Sequence, residues 1–145
     1  KGIRGNIATR IKKLEEGKYD AIVLARAGLE LLGLEKMITH TFDFDHMLPA
    51  VGQGVIAIQT RTMSPYTALI RQINHLDTFY CVLAERTALK FLDGDCHSAV
   101  GILAQVTGDC ITLKAINYNN MKDCTVTGKI LDYKQIGEQV GLAIK

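Results

Sequence analysis

No apolar run in this 145-residue sequence approaches the length of a membrane span, and no signal-peptide pattern opens it. Net charge is also scarce: 17 lysines and arginines stand against 15 aspartates and glutamates, leaving +2. That excess is too small to imply a nucleic-acid partner, and no basic run with interleaved aromatics occurs. Neither membrane nor nucleic acid is therefore expected as a partner. The cysteines Cys81, Cys96, Cys110 and Cys124 lie far apart, without a C-x-x-C pair. That spacing argues against structural zinc and gives no sign of a secreted disulfide framework. No metal site is expected, and a reducing cytoplasm is the expected compartment. Internal repeats and low-complexity segments are absent as well.

What is present is an ordinary globular composition, 48% apolar and 22% charged, which suits one domain or parts of two or three small ones. The sequence starts at Lys1 without an initiator Met and runs almost at once into a helix. A piece of a longer protein is the expectation.

Asn6 is a good cap for a helix over residues 7–16, with Ile7, Ile11 and Leu14 on one face and Gly17 as the stop. Arg4 just before it and Arg10 in its second turn crowd the end where backbone N–H groups already favour an anion. Arginine's planar fork suits a bidentate grip on carboxylates, and the alternative is two solvated side chains. Asp20-Ala-Ile-Val-Leu-Ala25 reads as a strand buried on both faces, followed by a short helix from Arg26 to Leu32 and a stop at Gly33. Ligands in such α/β layers sit beyond strand C-termini, here near residues 25–28.

Thr41 to Asp45 alternates like an edge strand, and Val55-Ile-Ala-Ile58 reads as another apolar strand. Between them, the two glycines flanking Gln53 permit close backbone approach to a ligand, or simply a turn. Residues 66–73 read as a short helix. Asp77 is the expected cap of a long helix over 78–92, with Phe79, Val82, Leu83 and Leu89 along its buried side. Three strands follow, over 100–106, 111–118 and 125–130, with turns at residues 107–109 and 119–120, so an antiparallel meander is predicted. Asp132 is placed to cap a last helix. Overall the fold class reads as α/β followed by α+β, the second unit a three-stranded antiparallel sheet with helices.

The meander is joined to the long helix by Leu92-Asp-Gly-Asp-Cys96-His-Ser-Ala-Val-Gly101. Gly94 lets the helix stop and the chain turn outward, presenting the Cys96 thiol on a turn. A lone loop cysteine is more often structural than reactive.

Three stretches taken in order alter that balance: Arg4-Gly-Asn-Ile-Ala-Thr-Arg10 with Lys13-Leu14 and Tyr19-Asp-Ala-Ile22; Leu48-Pro-Ala-Val-Gly-Gln-Gly54; and Ala84-Glu-Arg86 leading to Cys96 and Gly101. Together they resemble the C-terminal half of the porphobilinogen deaminase (hydroxymethylbilane synthase) family, from residue 2 to about residue 118. The resemblance implies an enzyme of tetrapyrrole synthesis with two lobes like those of periplasmic binding proteins and a small third domain. Residues 1–41 would end domain 2, residues 42–70 would return into domain 1, and residues 71–145 would form domain 3. Cys96 would carry a dipyrromethane cofactor through a thioether. Arg4 and Arg10 match arginines that bind the acetate and propionate groups of cofactor and substrate, and Gln53 matches a glutamine lining the cleft. The implied partners are porphobilinogen, the growing polypyrrole and the N-terminal half of the same enzyme. The family's catalytic aspartate belongs to that half, so no catalytic residue is expected here and the chain alone is expected to be inactive.

The implied chemistry suits these residue types. Loss of ammonia from porphobilinogen leaves an azafulvene that a thiolate or a pyrrole α-carbon attacks. A cysteine with a pKa of about 8.5 supplies some thiolate at neutral pH. Departures from the family pattern are Asp95 in place of a glycine, Ser98-Ala99 where a proline is usual nearby, and Leu31 at an arginine position. Asp95 disfavours the thiolate and a protonated His97 favours it. Arg26 is the candidate substitute for the arginine that Leu31 replaces. Two rival readings are a non-catalytic carboxylate-binding module of periplasmic-binding-protein type and a cysteine redox sensor.

Overall fold

The computed structural model of the chain describes residues 1–94 and 98–145. Cys96, with Asp95 and His97, lies outside the described residues. The chain divides into two units, Lys1–Phe42 and Asp43–Lys145.

In the first unit, α1 spans Ile7–Glu15 and starts where expected, because the Asn6 side chain accepts the Thr9 N–H at 2.8 Å. It stops at Gly17, which takes φ +69° while the Gly17 and Lys18 N–H groups bond back to the Leu14 and Lys13 carbonyls. Helix α2, Arg26–Leu31, ends the same way at Gly33. Gly28 keeps the helices close: a Cβ there would lie 2.8 Å from the Ile7 Cδ1. The expected strand over residues 20–25 is not formed. The segment has no ladder partner among the described residues, and apolar character alone does not make a strand without one. The same correction applies to residues 41–45, which end in a turn, and to Val55–Ile58, where Ile56 is 89% exposed.

The second unit holds α3 (Thr67–Arg71), α4 (Leu76–Phe91), β1 (Val100–Thr107), β2 (Cys110–Asn117), β3 (Lys122–Lys129) and α5 (Tyr133–Ala143). The strands form an antiparallel meander in the order β1-β2-β3. Thr107 pairs with Cys110 across a two-residue turn in which Gly108 supplies a positive φ. Alternate residues of β1 and β2 enter one face, so Ile102, Ala104, Ile111, Leu113 and Ala115 are buried beneath α4 and α5. Mixed α and β structure around a three-stranded antiparallel sheet is thus the architecture of this unit.

Two details of α4 differ from expectation. His75, not Asp77, holds the N-cap, its ring nitrogen accepting the Thr78 N–H at 3.3 Å, and Asp77 falls in the first turn. The buried stripe is Ala84, Glu85 and Ala88, whereas Phe79 is 46% exposed. The reason lies in α5. Gly137 and Gly141 ride directly over Ala84 and Ala88, and a Cβ on Gly141 would lie 2.4 Å from the Ala88 carbonyl oxygen. Asp132 occupies the N-cap position of α5 but makes no side-chain capping bond, since the 3-10 turn Ile130–Asp132 leads straight into the helix.

Candidate functional site

Arg4 flanks the corner before α1, and the Arg10 side chain reaches back from the helix to it. Gly5 makes that corner with φ +124°, and its carbonyl accepts the Arg10 Nε at 2.8 Å. That bond orients the guanidinium, and its terminal nitrogens have no protein partner among the described residues. The Arg4 carbonyl accepts the Lys13 Nζ at 2.8 Å, so a third cation joins the corner. Among the described residues no carboxylate pairs with Arg4, Arg10 or Lys13. Three uncompensated cations at one turn form a donor set for a ligand with several carboxylates.

Arg26 is placed differently. Its Nε donates to Glu30 Oε1 at 2.6 Å in an exposed i,i+4 pair. Leu31 projects into solvent beside it. Arg26 therefore keeps only part of its fork for another anion.

In the second unit, residues 50–55 make two successive turns. The Gln53 N–H bonds to the Ala50 carbonyl at 3.0 Å and the Val55 N–H to the Gly52 carbonyl at 3.2 Å. Gly52 and Gly54 occupy the third positions of these turns with φ +70° and +81°, a conformation that selects glycine. The G-x-G pattern is thus turn chemistry. Gln53 stands exposed between the two glycines.

One buried carboxylate, Glu85 of the Ala84-Glu-Arg86 stretch, holds this region together. Glu85, 6% exposed, accepts the Gly52 N–H at 2.8 Å with one carboxylate oxygen and the Ala104 N–H at 2.9 Å with the other. Burial pushes its pKa above the ordinary carboxylate value, against the lowering effect of the two N–H bonds. Nearby, the Ile102 N–H donates to the Pro49 carbonyl at 3.0 Å. Two of the outward N–H groups of β1 that a sheet edge would leave open, those of Ile102 and Ala104, are thus satisfied by Pro49 and by Glu85. Gly101 permits the approach, since a Cβ there would sit 2.6 Å from Leu48 Cβ. The only sequence signal for Glu85 was its place in Ala84-Glu-Arg86.

Between the return segment and α4 lies a cavity of about 740 Å³. Gly94 and Ser98, which flank Asp95-Cys96-His97 in sequence, are among the residues lining it. Cys81, Cys110 and Cys124 are free thiols, and burial pushes Cys81 up, with Glu85 and Asp77 adding to the shift. No helix among the described residues is long and apolar enough to cross a membrane. Among the same residues no group of three or more His, Cys, Asp or Glu is placed to hold a metal ion.

Comparison with known proteins bears on both units. Residues 1–68 match the family model described as porphobilinogen deaminase, dipyromethane cofactor binding domain, and residues 79–145 match that of the porphobilinogen deaminase C-terminal domain. A porphobilinogen deaminase of Clostridium botulinum is 37% identical over 142 residues, covering 98% of this chain and 48% of the relative. One of Acidithiobacillus ferrooxidans is 48% identical over 115 residues, covering 79% of this chain and 38% of the relative. The chain spans less than half the length of these relatives. With the two domain models following one another along its length, and with an arginine corner fit for a carboxylate-rich group in the first, the chain belongs to the porphobilinogen deaminase family.

Proposed function

We propose that this chain forms the C-terminal part of a hydroxymethylbilane synthase, an enzyme that joins four porphobilinogen molecules with release of ammonia at each addition. The observation that carries this reading is the corner of Arg4, Arg10 and Lys13, cations without acidic partners within the segment matched to the cofactor-binding domain. Each pyrrole of the substrate bears two carboxylates, so every addition brings more negative charge to be held. The donor set fits the dipyrromethane cofactor for the same reason. Arg4 and Arg10 would hold its carboxylates, Cys96 would tether it through a thioether, and Gln53 and Arg26 would contribute to substrate binding. When bound, that group supplies the pyrrole α-carbon to which units are added.

In this reading residues 1–41 complete a second α/β lobe of periplasmic-binding-protein type. Residues 42–70 return to the first lobe, and residues 71–145 make the domain bearing the cysteine. The family's catalytic aspartate belongs to the N-terminal half, the partner that closes the site, and the enzyme works in the cytoplasm.

The test is intact-protein mass spectrometry of the full-length protein and of its Cys96→Ser variant. A covalent two-pyrrole adduct on the parent, lost in Cys96→Ser and retained when Cys81, Cys110 or Cys124 is replaced, is the expected result. A parent without any adduct favours the carboxylate-binding module, and one carrying oxygen or glutathione favours the redox sensor. An adduct that survives Cys96→Ser overturns the tether.

A further inference from the structure

The cavity of about 740 Å³ in the second unit combines an apolar floor with two cations. Val55, Val82, Leu89 and Val100 contribute apolar surface, while Arg86 and Lys90 stand on one side of it from α4. Four residues apart, these two cations share a helix face. Such a like-charged pair works against the helix rather than for it. Among the described residues neither side chain makes a hydrogen bond or an ion pair. Among the described residues the one carboxylate lining the cavity, Asp93, is bonded to the Lys145 ammonium and so is partly neutralised.

A cavity of this kind suits a flat apolar ring with carboxylates at its rim. Ring faces take the place of water against the valines and leucine, and the carboxylates reach the guanidinium and ammonium. The bond from Glu85 to Gly52 fixes one wall, because it holds the backbone of the return segment against α4. One wall of the cavity is therefore set by a tertiary contact.

We propose that Arg86 and Lys90 form a second carboxylate-binding site, in the cysteine-bearing domain, that holds acidic side chains of the growing polypyrrole. The inference rests on the function proposed above and extends it. The arginine corner of the first unit is then not the sole holder of charge, and the domain carrying the tether also binds part of the product chain. Because successive additions increase the charge to be held, the site matters more for elongation than for cofactor attachment.

The experiment compares the full-length parent with Arg86→Gln, Lys90→Gln and the double variant, using porphobilinogen as the probe. Intact mass reads both the resting two-pyrrole adduct and the ladder of heavier intermediates formed with limiting porphobilinogen. The expected outcome is a resting adduct at the parental level, with elongation slowed at least tenfold in the double variant and a ladder stalled at its first steps. Arg86→Lys, which retains charge, should recover part of the rate. Each variant's unfolding midpoint is measured alongside; should Arg86→Gln fail to fold, the exposed Lys90→Gln carries the comparison. Parental elongation in folded variants overturns the second site and leaves the proposed function standing. Loss of the resting adduct in the variants also overturns it, since the residues would then serve cofactor attachment. A parent without an adduct overturns both readings.

Discussion

The Glu85 carboxylate and the Gly52 backbone N–H, thirty-three residues apart, are joined by a 2.8 Å hydrogen bond that fastens the turns over residues 50–55 to α4. The other carboxylate oxygen takes the Ala104 N–H, so one buried side chain serves a turn, a helix and a sheet edge together. Glu85→Gln keeps one acceptor oxygen but turns an amide NH₂ toward the second N–H donor. A buried donor left without an acceptor costs about 1–3 kcal/mol. Glu85→Ala abandons both donors and should cost more. Denaturant titration checks this: the midpoint should fall in both variants, and further in Glu85→Ala. A midpoint unchanged in both would mean that the turn finds other partners.

The same residue makes stability depend on pH with a definite sign. Burial raises the folded pKa of Glu85 above its unfolded value of about 4.3. Between the two values the folded state binds more protons than the unfolded state, so stability falls as pH rises through that window and then levels off. Glu85→Gln removes this contribution. Parent and variant stabilities measured from about pH 4 to about pH 7 should show the parent's advantage shrinking as pH rises. A widening advantage would show that the two N–H bonds outweigh burial.

What was legible in the sequence was written locally. Asn6 and Gly17 set the ends of α1 through bonds to residues three to five positions away. The three strands were readable because alternation and turn residues such as Gly108 coincide. Residues 20–25 and 55–58 were misread as strands because a strand is completed by a neighbour, and apolar composition is silent about whether one is present. The buried face of α4 was legible only in part: Leu89 packs against the core, but the small residues at the centre of that face escaped for a related reason. Phe79 and Val82 carry the stronger apolar signal, but the glycines of α5, more than fifty residues on, select the small Ala84 and Ala88. The part played by Glu85 depends on two distant N–H groups and leaves no periodic trace. Arg4 and Arg10 were visible as candidates because both lie within one local turn.

The contact between α5 and α4 gives a prediction in which two effects oppose. Alanine is a better helix former than glycine by about 1 kcal/mol, so Gly141→Ala would stabilise an isolated helix. In the folded unit its Cβ would sit 2.4 Å from the Ala88 carbonyl oxygen and 2.9 Å from the Phe91 Cβ. Backbone cannot give way as a flexible side chain does, and overpacking of this kind costs about 1–3 kcal/mol. The expected net result is a lower unfolding temperature. A higher one, read by thermal melts of parent and variant, would mean that the helices separate at little cost.

Arg10 offers the clearest separation of folding from binding. Among the described residues the only hydrogen bond of its side chain is the Nε donation to the Gly5 carbonyl, at a partly exposed corner, and no carboxylate pairs with it. Arg10→Leu should therefore change stability by no more than about 1.5 kcal/mol, the low end for a bond from a charged donor at a solvent-exposed corner. If the terminal nitrogens grip a carboxylate of cofactor or substrate, their loss removes charge-assisted bonds worth about 2–3 kcal/mol, which is roughly a 30- to 150-fold effect. Arg10→Lys keeps the charge without the planar fork and should fall between parent and Arg10→Leu. The full-length variants would be compared for unfolding midpoint, for the two-pyrrole adduct by intact mass, and for turnover of porphobilinogen. A near-parental midpoint with impaired adduct formation or turnover is the expected pattern. Parental loading and turnover in Arg10→Leu would remove Arg10 from the binding site.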